Sequence, residues 1–259
     1  MTLGPGARRL RATRYEKIWG TTDLSPIFGL AGEKIGEVWF EDEERLPLLF
    51  KFLFTSERLS IQVHPDDVYG LEHENSLGKT EMWHILRADP GAEIGLGFQK
   101  QYTPREVADG ASSGAIEGML HWRKVKAGEN YFVPAGQVHA IGAGVAICEI
   151  QQNSDVTYRL YDYGRTRELH LDRGMAVSAL GPYNGLKSGP VGCAYFRTEK
   201  LRLDAAMSLS GPRAVVVFLD GKGKVGGEPY EKGEAWRLLR NVTIEPKSAT
   251  SLLYVTWPG

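Results

Sequence analysis

Three separated stretches of this 259-residue chain carry side chains able to ligate a metal: Gln62-Val63-His64, Gly78-Lys79-Thr80-Glu81 and Pro134-Ala135-Gly136-Gln137-Val138-His139. An amide oxygen, two imidazoles and a carboxylate give a borderline cation such as zinc a mixed nitrogen and oxygen shell with a position left for water or substrate. In Leu59-Ser60-Ile61-Gln62-Val63-His64 polar and apolar residues alternate. An extended strand there turns Ser60, Gln62 and His64 to a pocket and Leu59, Ile61 and Val63 to the sandwich core. Lys79 precedes Glu81 by two residues and shares its face if that segment is extended. Glu149 and Gln151 share another face. Beyond the Asn153-Ser154 step, Asp155, Thr157 and Arg159 share one among themselves. His84 falls on the face opposite Glu81, and His73, His121 and His170 have no spaced partners.

The elements that must position these groups read as short strands between Gly, Pro and Asp: Ile35-Val38, Leu48-Phe54, Leu59-His64, Met82-Leu86, Asn130-Val133 and Val145-Gln151. Helical patterns are few: Asp66-Asp67 after Pro65 running to Glu74, Thr103 to about Gly110, and Leu171 to Leu180. Strands are not regularly interleaved with helices, so the chain is expected to be mainly β, an antiparallel jelly-roll sandwich on which helices are decoration. The Gly- and Pro-rich run from Gly181 to Pro190 marks a boundary. Residues 1–180 are the expected catalytic domain and 181–259 a smaller C-terminal β-sandwich, which holds no histidine.

A formal charge of −1 and a charged fraction of 24% give no footprint for nucleic acid or a membrane surface and leave a small molecule as the expected partner. Arg8, Arg9, Arg11 and Arg14 read as a solvated tail or edge rather than a polyanion site. Only two cysteines occur, Cys148 and Cys193, the usage of a reducing compartment. Met1-Thr2-Leu3-Gly4-Pro5-Gly6 lacks the apolar stretch of a signal peptide, so the expected location is cytoplasmic. The most apolar segment, Leu46 to Phe54, is short and interrupted by Lys51.

The Gln-x-His pair, the later Glu and a Pro-x-Gly turn leading to a histidine resemble the two-part metal pattern of cupin barrels. The resemblance narrows with Ser60-Ile61-Gln62-Val63-His64-Pro65-Asp66-Asp67, Gly78-Lys79-Thr80-Glu81-Met82-Trp83, Val133-Pro134-Ala135-Gly136-Gln137-Val138-His139-Ala140-Ile141 and Gln151 through Tyr163. These are similar to the signatures of type I mannose-6-phosphate isomerases in their short bacterial and archaeal form, from about Lys17 to His170. The chain departs from them at Gly36-Glu37-Val38-Trp39, at the acidic run Glu41-Asp42-Glu43-Glu44 and at His84. The second half resembles the family only loosely.

The resemblance implies one zinc per chain, or another divalent transition metal, on Gln62, His64, Glu81 and His139. It also implies an active-site Arg159, and a catalytic pocket that includes Lys79, Glu149 and Asp155. Ser60, Lys79 and Arg159 are the expected substrate contacts. The implied reaction converts an aldose phosphate to a ketose phosphate through an enediolate, in a monomer or homodimer. Arg159 would meet the charge developing on the enediolate or hold the phosphate. The base is Lys79, its pKa lowered by a cation-lined pocket, or Glu149. The alternative reading is a non-catalytic cupin that binds a sugar or sugar phosphate.

Overall fold

The computed structural model describes residues 5–259, so the reading of Met1-Thr2-Leu3-Gly4 lies outside the described residues. Strands dominate, and the predicted Leu48–Phe54 and Asn130–Val133 have the expected bounds. Others run slightly longer, as Glu81–Ala88 and Val145–Gln152, whereas the strand expected at Leu59-His64 shortens to Ile61–Val63. The helices are Asp67–Glu74, Pro104–Ser113, Leu171–Val177 and a single turn at Ile116–Met119 that the sequence reading lacked. Their starts follow local chemistry. The Asp66 side chain accepts from the Tyr69 N–H, and Thr103 with Glu106 forms a capping box ahead of Pro104.

The N-terminal half is a sandwich of two antiparallel sheets. The first sheet runs Tyr158–Tyr161, Ile61–Val63, His139–Ile141, Glu93–Phe98, Leu120–Lys124. The second runs Leu186–Lys187, Asn130–Val133, Glu81–Ala88, Val145–Gln152, Leu48–Phe54, Leu30–Glu41, Arg11–Asp23. Its long outer hairpin exceeds the expected Ile35-Val38 because most residues of that ribbon are partly exposed and carry little apolar signal. Between the sheets lie Leu53, Trp83, Ile85, Ile94, Leu96 and Ile141.

Ile61 and Val63 are fully buried, but not between the sheets. They lie on the outer face of the first sheet with Phe98 and Leu160, beneath Val107, Ala111 and Ile116 of the helices. Leu59, just ahead of the strand, turns instead into the cavity. The helices are therefore a structural layer rather than decoration. Each large aliphatic side chain they cover contributes about 1.5–3 kcal/mol relative to exposure.

The outer face of the second sheet is covered too. Phe50, Phe52, Phe54, Met82 and Ile150 pack on Val215, Val217, Leu253 and Val255 of a six-stranded sheet. On that sheet's other face Ala214, Val216 and Phe218 meet Val225, Tyr230 and Ile244 of a four-stranded sheet. Coverage on both faces explains the unbroken apolar run Ala214-Val215-Val216-Val217-Phe218-Leu219.

The six-stranded sheet also takes in the chain's beginning, since Ala7–Arg9 pairs with Ala235–Leu238. We propose to keep residue 181 as the start of the connection between the sandwiches, with strand Leu186–Lys187 still pairing in the first one and the strand Ala7–Arg9 assigned to the C-terminal one. The basic start is not a free edge. Arg8 and Arg237 both bind the buried Asp42 carboxylate, while Arg11 meets Glu41 and Arg9 meets Glu234. The acidic run 41–44 is thus the counter-charge that ties the two sandwiches together. Among the described residues no helix is long and apolar enough to cross a membrane.

Candidate active site

Register sets two facing rows of side chains. On the first sheet Gln62 lies between His139 and Arg159 as cross-strand neighbours. On the second, Glu149 lies between Lys51 and Trp83. Side chains opposite one another on the same face of a sheet lie within contact range. Gln62, Arg159, Lys51, Glu149 and Trp83 line a cavity of about 280 Å³, whose wall also includes Ser60, Lys79, Glu81, Asp155 and Thr157.

His64, Glu81 and His139 place ligand atoms within 4.8 Å of one another, and all three are buried. His64 Nδ1 donates to the Val156 carbonyl at 2.9 Å, and His139 Nδ1 donates to the Gln137 carbonyl at 2.8 Å. Each bond fixes the tautomer and leaves the Nε2 lone pair directed inward, the outer support usual for a metal-bound histidine. The two Nε2 atoms lie 3.6 and 3.5 Å from Glu81 oxygens. Burial, with Lys79 nearby, holds the His64 pKa well below its ordinary value, and burial lowers that of His139 to about 4. Both rings are therefore neutral, as metal binding requires. Gln62 joins them, its amide nitrogen 3.3 Å from His139 Nε2 and its oxygen accepting from Ser60 Oγ at 3.1 Å. Rotating the amide by a half turn presents its oxygen to the same point. The donor set fits a divalent metal of zinc type.

Three backbone approaches hold the ligand segments together. Gly136 N–H donates to the His64 carbonyl at 2.8 Å, and Lys79 N–H to the Pro65 carbonyl at 3.0 Å. Ala135 N–H donates to Thr80 Oγ1 at 3.2 Å. Gly78 must be glycine here, since a Cβ would stand 2.5 Å from the Asp66 carbonyl carbon.

Lys79 Nζ donates to Glu81, lies 3.2 Å from His64 Nε2 and faces Glu149 at 3.9 Å. Burial disfavours its charge, but Glu149 and Glu81 outweigh burial and raise its pKa. The pocket is not cation-lined around this ammonium, so the expected lowering is reversed. Burial and the charge of Glu81 raise the Glu149 pKa. Glu149 accepts from the Trp83 indole N–H at 3.0 Å, which also donates to Glu81 at 3.1 Å.

Arg159 lies on the cavity wall beside Arg167. It donates to the Glu168 carbonyl at 2.8 Å rather than to Asp155, and its buried Nε has no hydrogen-bond partner. Burial and Arg167 lower its pKa, the mark of a place where an anion is welcome. Asp155 is exposed and faces Lys51 at 3.7 Å. His84 sits on the opposite face, bound to Asn130, while His73 stacks on Tyr69.

Sequence reasoning missed Lys51. Its side chain is 3% exposed, lies 3.8 Å from Glu149 and caps the Trp39 ring at 4.2 Å. The available signal was a lysine inside an otherwise apolar strand, read as an interruption rather than as a charge aimed into a pocket.

The sequence model of the type I phosphomannose isomerase catalytic domain matches residues 25–80. A mannose-6-phosphate isomerase of Streptococcus mutans is 32% identical over 91% of this chain and 92% of its own length. The mannose-6-phosphate isomerase ManA of Bacillus subtilis is 38% identical over 74% of this chain and 68% of its own. The crystal structure of the Bacillus subtilis mannose 6-phosphate isomerase superposes with a TM-score of 0.84 at 28% identity, covering 96% of this chain and 99% of that one. A putative mannosephosphate isomerase from Archaeoglobus fulgidus shares the fold at a TM-score of 0.81 and 14% identity, with both chains fully covered. The similarity to the Streptococcus mutans relative runs well past the Lys17-to-His170 stretch into the second sandwich, and by it the chain belongs to the type I mannose-6-phosphate isomerase family.

Proposed function

We propose that this enzyme interconverts mannose 6-phosphate and fructose 6-phosphate through an enediolate, with one zinc ion held by Gln62, His64, Glu81 and His139. The observation that carries the reading is the convergence of both histidine Nε2 atoms on Glu81 in the wall of one cavity that also holds Lys79, Glu149 and Arg159. A bound divalent metal would supply Lewis-acid stabilisation to negative charge on the substrate oxygens.

The chain's own groups supply the rest. Ser60 and Lys79 hydrogen-bond the sugar hydroxyls, Ser60 from the same face as Gln62. Lys79 and Glu149, 3.9 Å apart on the cavity wall, form the pair that moves the proton between C2 and C1. A carboxyl group with a raised pKa and a charged amine beside it offer an acceptor and a donor in one site. Arg159 offers its guanidinium from the cavity wall to the developing oxyanion, where a fixed donor in a water-poor site does most. Asp155 holds Lys51 in place at the cavity mouth. The basic side of the cavity, with Lys17 and Arg167, suits the phosphate.

The test is a coupled assay with mannose 6-phosphate on protein of measured metal content. Activity proportional to zinc occupancy is the expected result, and sugar-phosphate binding without turnover would leave a binding protein instead. Solvent deuterium entering C2 of recovered substrate would then discriminate between the bases. Glu149→Gln abolishing the exchange while Lys79→Met retains it assigns the abstraction to Glu149, and the reverse pattern assigns it to Lys79.

A further inference from the structure

One residue of the C-terminal sandwich reaches the segments that carry the proposed metal ligands. Tyr195, just ahead of strand Arg197–Leu203, donates its hydroxyl to Asp67 Oδ2 at 2.9 Å. Asp67 Oδ1 in turn accepts from the Gly78 N–H at 2.8 Å and from Gln152 Nε2 at 2.8 Å. Gln152 completes the ring, since its Oε1 accepts from the Thr80 N–H at 2.8 Å and its own N–H donates to the Thr80 carbonyl at 3.0 Å. Asp67 stands three residues after His64, and Gly78 and Thr80 bracket Lys79 and precede Glu81. The contact between Gly78 and the Asp66–Asp67 backbone is too close to admit a side chain, so movement of Asp67 is passed directly to Gly78.

We propose that Tyr195 is a positioning residue for the metal site: by holding Asp67 it fixes the Gly78-to-Glu81 segment relative to His64, which gives the C-terminal sandwich a part in metal affinity and turnover. The inference rests on the assignment of His64, Glu81 and His139 to the metal. A charged carboxylate satisfied by three donors is rigid, and losing one leaves an oxygen underused where its orientation matters. Groups that orient metal ligands from outside the ligand shell affect affinity although they never touch the ion. Tyr195 acts one step further out, so a smaller effect is expected.

The test uses the full chain with Tyr195→Phe, Asp67→Ala, Asp67→Asn and the Tyr195→Phe/Asp67→Ala double variant. Zinc affinity is measured by chelator competition, and exchange of the Gly78 and Thr80 amides is followed by NMR in metal-free protein. Tyr195→Phe should weaken zinc binding roughly threefold to tenfold and speed exchange at Gly78 and Thr80 by a similar factor, with thermal melting of the metal-free protein nearly unchanged. Asp67→Asn, which keeps an acceptor for Gly78 and a partner for Tyr195, should retain most of the parent affinity. The double variant should match Asp67→Ala, because Tyr195 has nothing to act through once Asp67 is gone. Parent affinity and parent exchange rates in Tyr195→Phe would overturn the proposal, as would additive effects in the double variant. Failure of the metal assignment itself shows separately, as undiminished zinc binding in His139→Ala.

Discussion

Lys51 Nζ lies 3.8 Å from Glu149 Oε1, and both side chains are almost wholly buried. The two are cross-strand neighbours on the second sheet, so the pairing is fixed by register rather than by side-chain reach. Asp155 and Lys79 complete a chain of alternating charges along the cavity wall. Removing one member of a buried pair leaves the other charge uncompensated. Lys51→Met should therefore lower stability by about 1–3 kcal/mol, less than for an isolated pair because Lys79 remains beside Glu149. It should also cut kcat by tenfold or more, since the pKa of Glu149 rises further when a neighbouring cation is lost. Urea unfolding and the coupled assay check the two halves. Full activity in Lys51→Met would show that this charge serves folding alone.

His139→Ala removes one of two imidazoles whose Nε2 atoms meet at Glu81. Zinc affinity should fall a hundredfold or more, since even groups outside the ligand shell are worth tenfold to a hundredfold. The first sheet should stay folded, because Ala140 and Ile141 retain their pairing with Gly95 and Ile94. Metal analysis after dialysis, with far-UV circular dichroism on the same sample, reads both. Full zinc occupancy at the same site in His139→Ala would refute the ligand set.

Arg159→Lys keeps a positive charge on the cavity wall but loses the planar fork of the guanidinium, whose buried Nε has no hydrogen-bond partner. Turnover should drop by roughly tenfold to a thousandfold, the range for loss of a preorganised oxyanion donor. Metal content and melting temperature should stay near those of the parent, because the native side chain makes one side-chain hydrogen bond, to the Glu168 carbonyl. A drop confined to KM would move Arg159 from the oxyanion to the phosphate.

Much of this site was legible because its residues repeat at strand spacing. Ser60, Gln62 and His64 alternate with apolar neighbours, and Lys79 with Glu81, so a common face followed from period alone. What period cannot give is which face is covered by what. Ile61 and Val63 alternate correctly, yet they are buried under helices, and no local pattern distinguishes that layer from a facing sheet. The protonation of Lys79 was misread for a related reason: its partners Glu81 and Glu149 come from two strands, and their joint effect depends on distances that the sequence does not carry. Lys51 carried a signal, a lone charge in an apolar strand, but its meaning required knowing that Glu149 lies directly across. The pairing of Ala7–Arg9 with Ala235–Leu238 was hidden altogether. Three residues, two of them arginines, offer no strand signature until Asp42 is seen to bind Arg8 and Arg237 together.

His84 gives a pH signature that is independent of the metal. It lies on the face of Glu81–Ala88 turned away from the cavity, and its Nδ1–H donates to Asn130 Oδ1 at 2.7 Å. Burial lowers its pKa from 6.5 to about 4, with Lys200 adding to the shift. Protonation is thus easier in the unfolded chain than in the folded one. Above about pH 6.5 neither state carries the proton and the contribution of His84 to stability is fully present. As pH falls from there towards about 4 the unfolded state gains a proton that the folded state refuses, and stability is lost at up to about 1.4 kcal/mol per unit. Below about pH 4 both states are protonated and this loss levels off. His84→Gln keeps a donor for Asn130 but cannot titrate. Between about pH 6.5 and about pH 4.5 the variant should lose about 2 kcal/mol less stability than the parent. Urea unfolding of both proteins at half-unit pH steps measures the difference directly, with His64 and His139 common to both and cancelling. Parallel curves for parent and variant would show that His84 takes up its proton in the folded state as readily as in the unfolded one, and that its burial is not what the sandwich interface implies.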